Sequence, residues 1–161
     1  MIHPHHWMNM EVRRLENPDA ALARDAIATL KMADSSLRSN LNADYLRHFL
    51  SRPENYLIVA TDGDRPVGYL VAYLLDRVDR DQAMMFFYEI SVAESHHRRG
   101  AGTAMIDLLK SFCRQQNVMK MWVHTNRSNK AAMRLYESMG GEADASGDEI
   151  TFLFTPESYG K

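Results

Sequence analysis

The segment HHRRGAGTAM, residues 96–105, sets two histidines and two arginines before Gly-Ala-Gly-Thr, and an apolar helical pattern follows at once. Such residues serve nucleic-acid binding, metal ligation or phosphate capture. Met105, Leu108, Leu109 and Phe112, with Ile106 and Cys113 beside them, recur at helical spacing and mark a buried face. The helix N-terminus therefore lies at residues 100–103, where four N–H groups lack intrahelical acceptors and the helix dipole is positive. Glycines at 100 and 102 allow a sharp turn and close backbone approach, and Arg98 and Arg99 add charge. The expected ligand is a pyrophosphate, with Ala101, Gly102, Thr103 and Ala104 as the donor array.

Composition and spacing narrow the choice. The net charge is -2 and the sequence pI about 6.4, so no global positive field holds a polyanion, and nucleic acid is not an expected partner. No Cys, further His or carboxylate stands at ligand spacing, so no metal is expected. A Walker A loop lacks its Gly-Lys-Ser/Thr, and a dinucleotide GxGxxG would need glycine at 105, where Met105 stands.

The elements that must position this cradle follow from periodicity and turn residues. A chain of 161 residues, 45% hydrophobic, supports one domain over 1–161. WMNMEVRRL reads as a first strand, and Asn17, Pro18 and Asp19 open a helix over 18–32. Asn42 caps a second helix with Tyr45, Leu46, Phe49 and Leu50 on one side. YLIVAT and PVGYLVAYLLD form a hairpin about Asp62-Gly63, and AMMFFYEISV (residues 83–92) adds a third strand. A helix over 102–116, the strand MKMWVHT, a helix over 129–139 and a last strand EITFLF complete the order βααβββαβαβ. The class is α/β in the broad sense (α+β): a mixed, mostly antiparallel sheet flanked by helices.

Arg99-x-x-Gly102-x-Ala104 resembles the Arg/Gln-x-x-Gly-x-Gly/Ala motif of the GCN5-related N-acetyltransferases (GNAT). FFYEISV looks like that family's central strand. NKAAMRLYESMG is similar to its Asn-x-x-Ala-x-x-Leu-Tyr-x-x-x-Gly block, with Asn129, Ala132, Leu135, Tyr136 and Gly140 in register. The resemblance covers about residues 56–154, and Gly141 departs from it, since the family usually has an apolar residue there. It implies a GNAT fold, acetyl-CoA as cofactor with CoA as product, and direct acetyl transfer to an amine. The loop and helix start would hold the pyrophosphate, and the central strand at Ile90, Ser91 and Val92 would splay to pair with the pantetheine arm. N–H groups near Ser91 and Val92 would polarise the thioester, and Tyr136 would protonate the departing thiolate, although its place on a helix stripe also suits a core residue.

Glu89 interrupts an apolar strand, where a carboxylate is costly unless solvated or paired. It is the candidate general base, although a wet strand face or a structural salt bridge would look the same. The segment around it is most similar to the type I aminoglycoside 3-N-acetyltransferases, which also carry an acidic residue there. That implies a polycationic small-molecule amine as substrate, with Glu89, Asp148 and Glu149 as its contacts, and Asp76, Asp79, Asp81 and Asp144 as further carboxylates. Another amine, or a non-catalytic acyl-CoA sensor, would fit the same cradle. His124 is a further cleft candidate, Cys113 a core residue and the terminal HPHH a frayed end. With no signal peptide and no apolar run of membrane length, a cytoplasmic protein off the membrane is expected, and the family suggests a homodimer.

Overall fold

The computed structural model describes residues 10–31 and 41–144. Among them five strands form one sheet in sequence order: β1 (Met10–Arg14), β2 (Asn55–Asp62), β3 (Arg65–Asp76), β4 (Ala83–Val92) and β5 (Val118–Trp122). The first four are antiparallel, as the short polar turns between β2, β3 and β4 require, and β5 lies parallel to β4. Among the described residues four helices flank the sheet: α1 (Ala20–Leu30), α2 (Ala43–Ser51), α3 (Ala101–Gln115) and α4 (Lys130–Ser138). The architecture is the expected mixed sheet between helices; the expected last strand, together with Asp148 and Glu149, lies outside the described residues.

Both faces of the sheet are covered, which explains why β2 reads as a continuous apolar run rather than an alternation. Tyr56, Ile58, Ala60, Leu70, Ala72, Met85 and Phe87 pack against Met105, Ile106 and Leu109 of α3. On the other face, Leu57, Val59, Tyr69 and Val71 meet Ala23, Ala26 and Leu30 of α1 and Leu46 and Leu50 of α2. Tyr45, expected on the inner side of α2, is 65% exposed, because Leu46 and Leu50, one turn apart, carry the contact.

Several local details differ from the sequence expectation. Residues Asn17–Asp19 form a 3-10 turn capped by Glu16, and α1 proper starts at Ala20. Asp19 causes this early turn: its carboxylate accepts the Glu16 N–H at 2.8 Å and two bonds of 2.9 Å from the Arg13 guanidinium. Asn42 caps α2 as expected, accepting the Asp44 N–H at 2.8 Å. The β2–β3 bend turns on Gly63 at φ 60°. Helix α4 ends through Gly140 at φ 84°. At Gly141 a Cβ would stand 2.9 Å from the Tyr136 carbonyl oxygen that accepts the Gly141 N–H, so the departure from the family pattern fits this tight C-terminus.

Candidate active site

One irregularity of β4 decides which way Glu89 faces. Val71 pairs with Glu89 but Ala72 pairs with Phe87, leaving Tyr88 as an extra residue. Such a bulge inverts the in-out alternation of all that follows. Met85 and Phe87 face α3; beyond the bulge Ile90 and Val92 take over that face, and Glu89 turns to the α1 side. Strict alternation would have driven its carboxylate toward the core beneath α3.

On the α1 side Glu89 has two partners among the described residues. The Tyr69 hydroxyl donates to Oε1 at 3.4 Å, and Lys31 Nζ donates to Oε1 and Oε2 at 3.3 and 3.4 Å. Burial, then the adjacent carboxylate, pushes the Tyr69 phenol well above its ordinary range, so it remains a donor. Lys31 sits just past the end of α1, which the Ser91 hydroxyl ties to β4 by donating to the Leu30 carbonyl at 3.2 Å. The Lys31 and Glu89 side chains are 38% and 31% exposed, so this long ion pair is worth no more than about 1 kcal/mol and an incoming ammonium can displace it.

Tyr136 approaches β4 from the opposite face. Its ring meets Phe87 edge-on at 5.6 Å, burial raises its phenol, and its hydroxyl makes no hydrogen bond among the described residues. Asn129 holds α4 in place as its N-cap, its Oδ1 accepting the Ala132 N–H at 3.1 Å. Glu89 and Tyr136 thus flank one stretch of β4 from its two faces.

That stretch is where the sheet opens. The β4–β5 pairing ends at Phe86 and Trp122, while β4 continues to Val92. Beyond Phe86 the edge of β4 facing β5 has no strand partner among the described residues. The Ala93 N–H bonds the Val67 carbonyl, so by strand alternation Ser91 turns its peptide groups to β3, and Ile90 and Val92 turn theirs to the open edge. The Val92 carbonyl there accepts from His97 Nε2 at 2.9 Å when that nitrogen carries its proton.

The cradle follows directly. Gly100, at φ 86°, is the N-cap of α3, and no side chain caps the helix. The Ala104 N–H bonds the Gly100 carbonyl at 2.9 Å, so Ala104 is no free donor, and the N–H groups without an intrahelical acceptor are those of Gly100, Ala101, Gly102 and Thr103. Arg98 holds a positive φ of 59°, a conformation that non-glycine residues adopt at a cost, and neither it nor Arg99 has an ion-pair partner among the described residues. Free N–H groups, two unpaired guanidinium groups and a positive helix end fit a pyrophosphate. Gly102 has a second role, since a Cβ there would lie 3.1 Å from Leu135 of α4. His96 fastens the loop: Nε2 lies 3.1 Å from Asp62 Oδ2 and Nδ1 lies 2.9 Å from the Ser95 hydroxyl.

Other expected contributors lie apart. Asp79 and Asp81 belong to the β3–β4 turn, and Asp76, the last residue of β3, stands about 17 Å along the strand from the residue opposite Glu89 at the ordinary strand rise. Arg77 holds the Asp79 carboxyl below its ordinary range and Arg80 adds a weaker bond, so Asp79 is not free for an acceptor amine. His124 lies past β5 with its ring 5.9 Å from Phe86, which also stacks on Trp122 at 5.2 Å. Cys113 packs against the α3-side core, and burial pushes its thiol up. Sequence reasoning missed Lys31, Tyr69 and the side chain of Ser91; the hydrogen-bonding residue types were visible, but their meeting depends on the bulge.

Comparison with known proteins agrees with this geometry. A 73-residue stretch, 45% of the chain, is 33% identical to the ribosomal protein bS18-alanine N-acetyltransferase of Escherichia coli K12, covering 48% of that protein. The chain thus spans about half the length of the curated relatives it matches. An aminoglycoside acetyltransferase from an uncultured soil metagenomic sample, solved with sisomicin, shares the fold at TM-score 0.76 and 21% identity over 91% of this chain and 95% of that one. An aminoglycoside N-acetyltransferase solved with CoA matches at TM-score 0.74 and 15% identity over 96% and 99%. Residues 23–141 match the acetyltransferase (GNAT) family, whose cofactor is acetyl-CoA. Helix-end cradle, opened strand and flanking Glu89 and Tyr136 all fall inside that span, and the chain belongs to this family.

Proposed function

We propose that the protein is an acetyl-CoA-dependent N-acetyltransferase whose acceptor is a polycationic amine, an aminoglycoside acetylated at its 3-amino group being the expected case. The observation that carries the reading is the bulge at Tyr88, which presents Glu89 beside the opened edge of β4. Bound acetyl-CoA supplies the acetyl group as an activated thioester. Arg98, Arg99 and the N–H groups of residues 100–103 hold its pyrophosphate, and Ile90 and Val92 offer peptide groups along the open edge. Glu89 takes the proton that an ammonium acceptor must lose before its nitrogen can attack. Tyr136, on the other face, returns a proton to the departing sulfur; with its phenol raised above about 10, position rather than acidity makes it effective.

The aminoglycoside assignment is supported by the resemblance around Glu89 and by fold neighbours that carry that name. A second reading, a peptide or protein amine, is favoured by the stretch similar to the bS18-alanine enzyme and by the remoteness of the β3–β4 carboxylates from Glu89. Purified protein should release free thiol from acetyl-CoA when gentamicin-like aminoglycosides are added. Silence across that panel with turnover of a peptide or polyamine transfers the assignment to the second reading. Cofactor binding without turnover of any amine would leave an acyl-CoA sensor. The expected homodimer and cytoplasmic setting are part of this proposal; among the described residues no helix is long and apolar enough to cross a membrane.

A further inference from the structure

Lys31 occupies the position where an acceptor amine has to be. Its Nζ lies 3.3 and 3.4 Å from the two carboxylate oxygens of Glu89. The Ser91–Leu30 bond and the Lys31 N–H, which closes α1 on the Ile27 carbonyl at 3.0 Å, hold the backbone there. Lys31 is the one lysine in an ion pair among the described residues: Lys110 donates to the Met139 carbonyl, and Lys120 and Lys130 are exposed. The Lys31 side chain is 38% exposed rather than sealed in the core, so it retains freedom to move. A primary amine tethered against the group that deprotonates acceptors has a very high effective concentration there.

We infer that Lys31 is an acceptor built into the enzyme, acetylated on Nζ within its own chain. The inference rests on the reading of Glu89 as general base. The Lys31 ammonium gives one proton to Glu89, which passes it to solvent. The freed nitrogen forms a C–N bond to the acetyl carbonyl carbon while the C–S bond breaks. The second nitrogen proton goes to the departing sulfur, leaving N-acetyl-lysine and free CoA thiol. No oxidant, reductant or further co-reactant enters. The product is neutral, so it no longer competes for Glu89, and self-acetylation clears the carboxylate for an external ammonium.

The full chain, incubated with acetyl-CoA and no added amine, should gain one acetyl group that peptide mapping places on Lys31. The rate should be independent of protein concentration, about a hundredfold slower in Glu89→Gln, and the label should be absent from that peptide in Lys31→Arg with cofactor affinity retained. Without cofactor, the NMR resonance of the Glu89 carboxyl carbon should move on Lys31→Met, reporting the contact itself. An unmoved resonance, a rate that rises with protein concentration, equal labelling in Glu89→Gln, or an unlabelled Lys31 overturns the inference. An unlabelled Lys31 in protein that acetylates an added amine leaves the proposed function standing. A labelled Lys31 in protein that accepts no aminoglycoside removes only that substrate assignment.

Discussion

Glu89 carries a carboxylate on a strand whose neighbours are apolar, and its environment assigns it two partners, Tyr69 and Lys31, without sealing it from solvent. A base in this setting can collect a proton and return it to water. Glu89→Gln preserves shape and leaves the cradle untouched, so acetyl-CoA affinity by calorimetry should not change while turnover falls about a hundredfold or more. Unchanged turnover would remove Glu89 from the mechanism. Arg98 and Arg99 belong to the proposed cofactor grip instead. Replacing both by alanine should weaken acetyl-CoA binding about tenfold, or about 1.4 kcal/mol, and flatten its dependence on salt. Equal affinity and equal salt dependence in the double variant would show that the backbone alone holds the phosphates.

At the scale of elements, helix α3 is both a core element and half of the cradle, so its N-terminus must be placed against α4 as well as aimed at the ligand. Gly102 meets both demands because Leu135 fills the space its side chain would take. Gly102→Val should push Leu135 and with it α4, weakening acetyl-CoA at least tenfold; overpacking of this kind costs about 1–3 kcal/mol, read as a lower urea midpoint. The junction of β1 with α1 depends on Asp19, whose carboxyl is held below its ordinary range first by the Arg13 hydrogen bonds and then by the Glu16 N–H. Because the folded state favours the ionised form, this contribution is present above about pH 4 and fades as pH falls through the lowered value. Asp19→Ala should cost about 1 kcal/mol at neutral pH in urea denaturation, and the gap to the unmodified protein should close in acid. A pH-independent gap would show that the residue acts through the backbone bond alone.

For the whole molecule, covering both sheet faces buries phenols as well as apolar side chains. Tyr56, Tyr69, Tyr73 and Tyr136 all have their phenols raised, burial being the first cause in each. A raised value means that the folded state resists ionisation, so their contribution is intact below about pH 10 and is lost as pH rises past that point. Thermal midpoints should therefore fall steeply above about pH 10, with the slow tyrosinate absorbance step coinciding with unfolding. A complete tyrosinate titration in folded protein would contradict that burial.

Much of this organisation is local and therefore legible from the chain alone. The apolar stripe of α3, the glycines at its start and the limits of β4 are set by neighbours within a few residues, and all appear where the spacing puts them. The helix start proposed to hold the pyrophosphate is legible for the same reason, since a helix start with adjacent arginines is a short-range object, and Gly100 caps it as observed. The surroundings of Glu89 are different in kind. Its apolar neighbours suggest a carboxylate in a strand, but which face it takes depends on the bulge between Val71 and Ala72, a matter of pairing between two strands. Lys31 lies 58 residues away, and no periodicity links it to Glu89. Residue type and short spacing determine what chemistry the chain can offer; the pairing of β3 with β4 and the docking of α1 decide which groups meet, because those contacts close over long loops and carry no local signal.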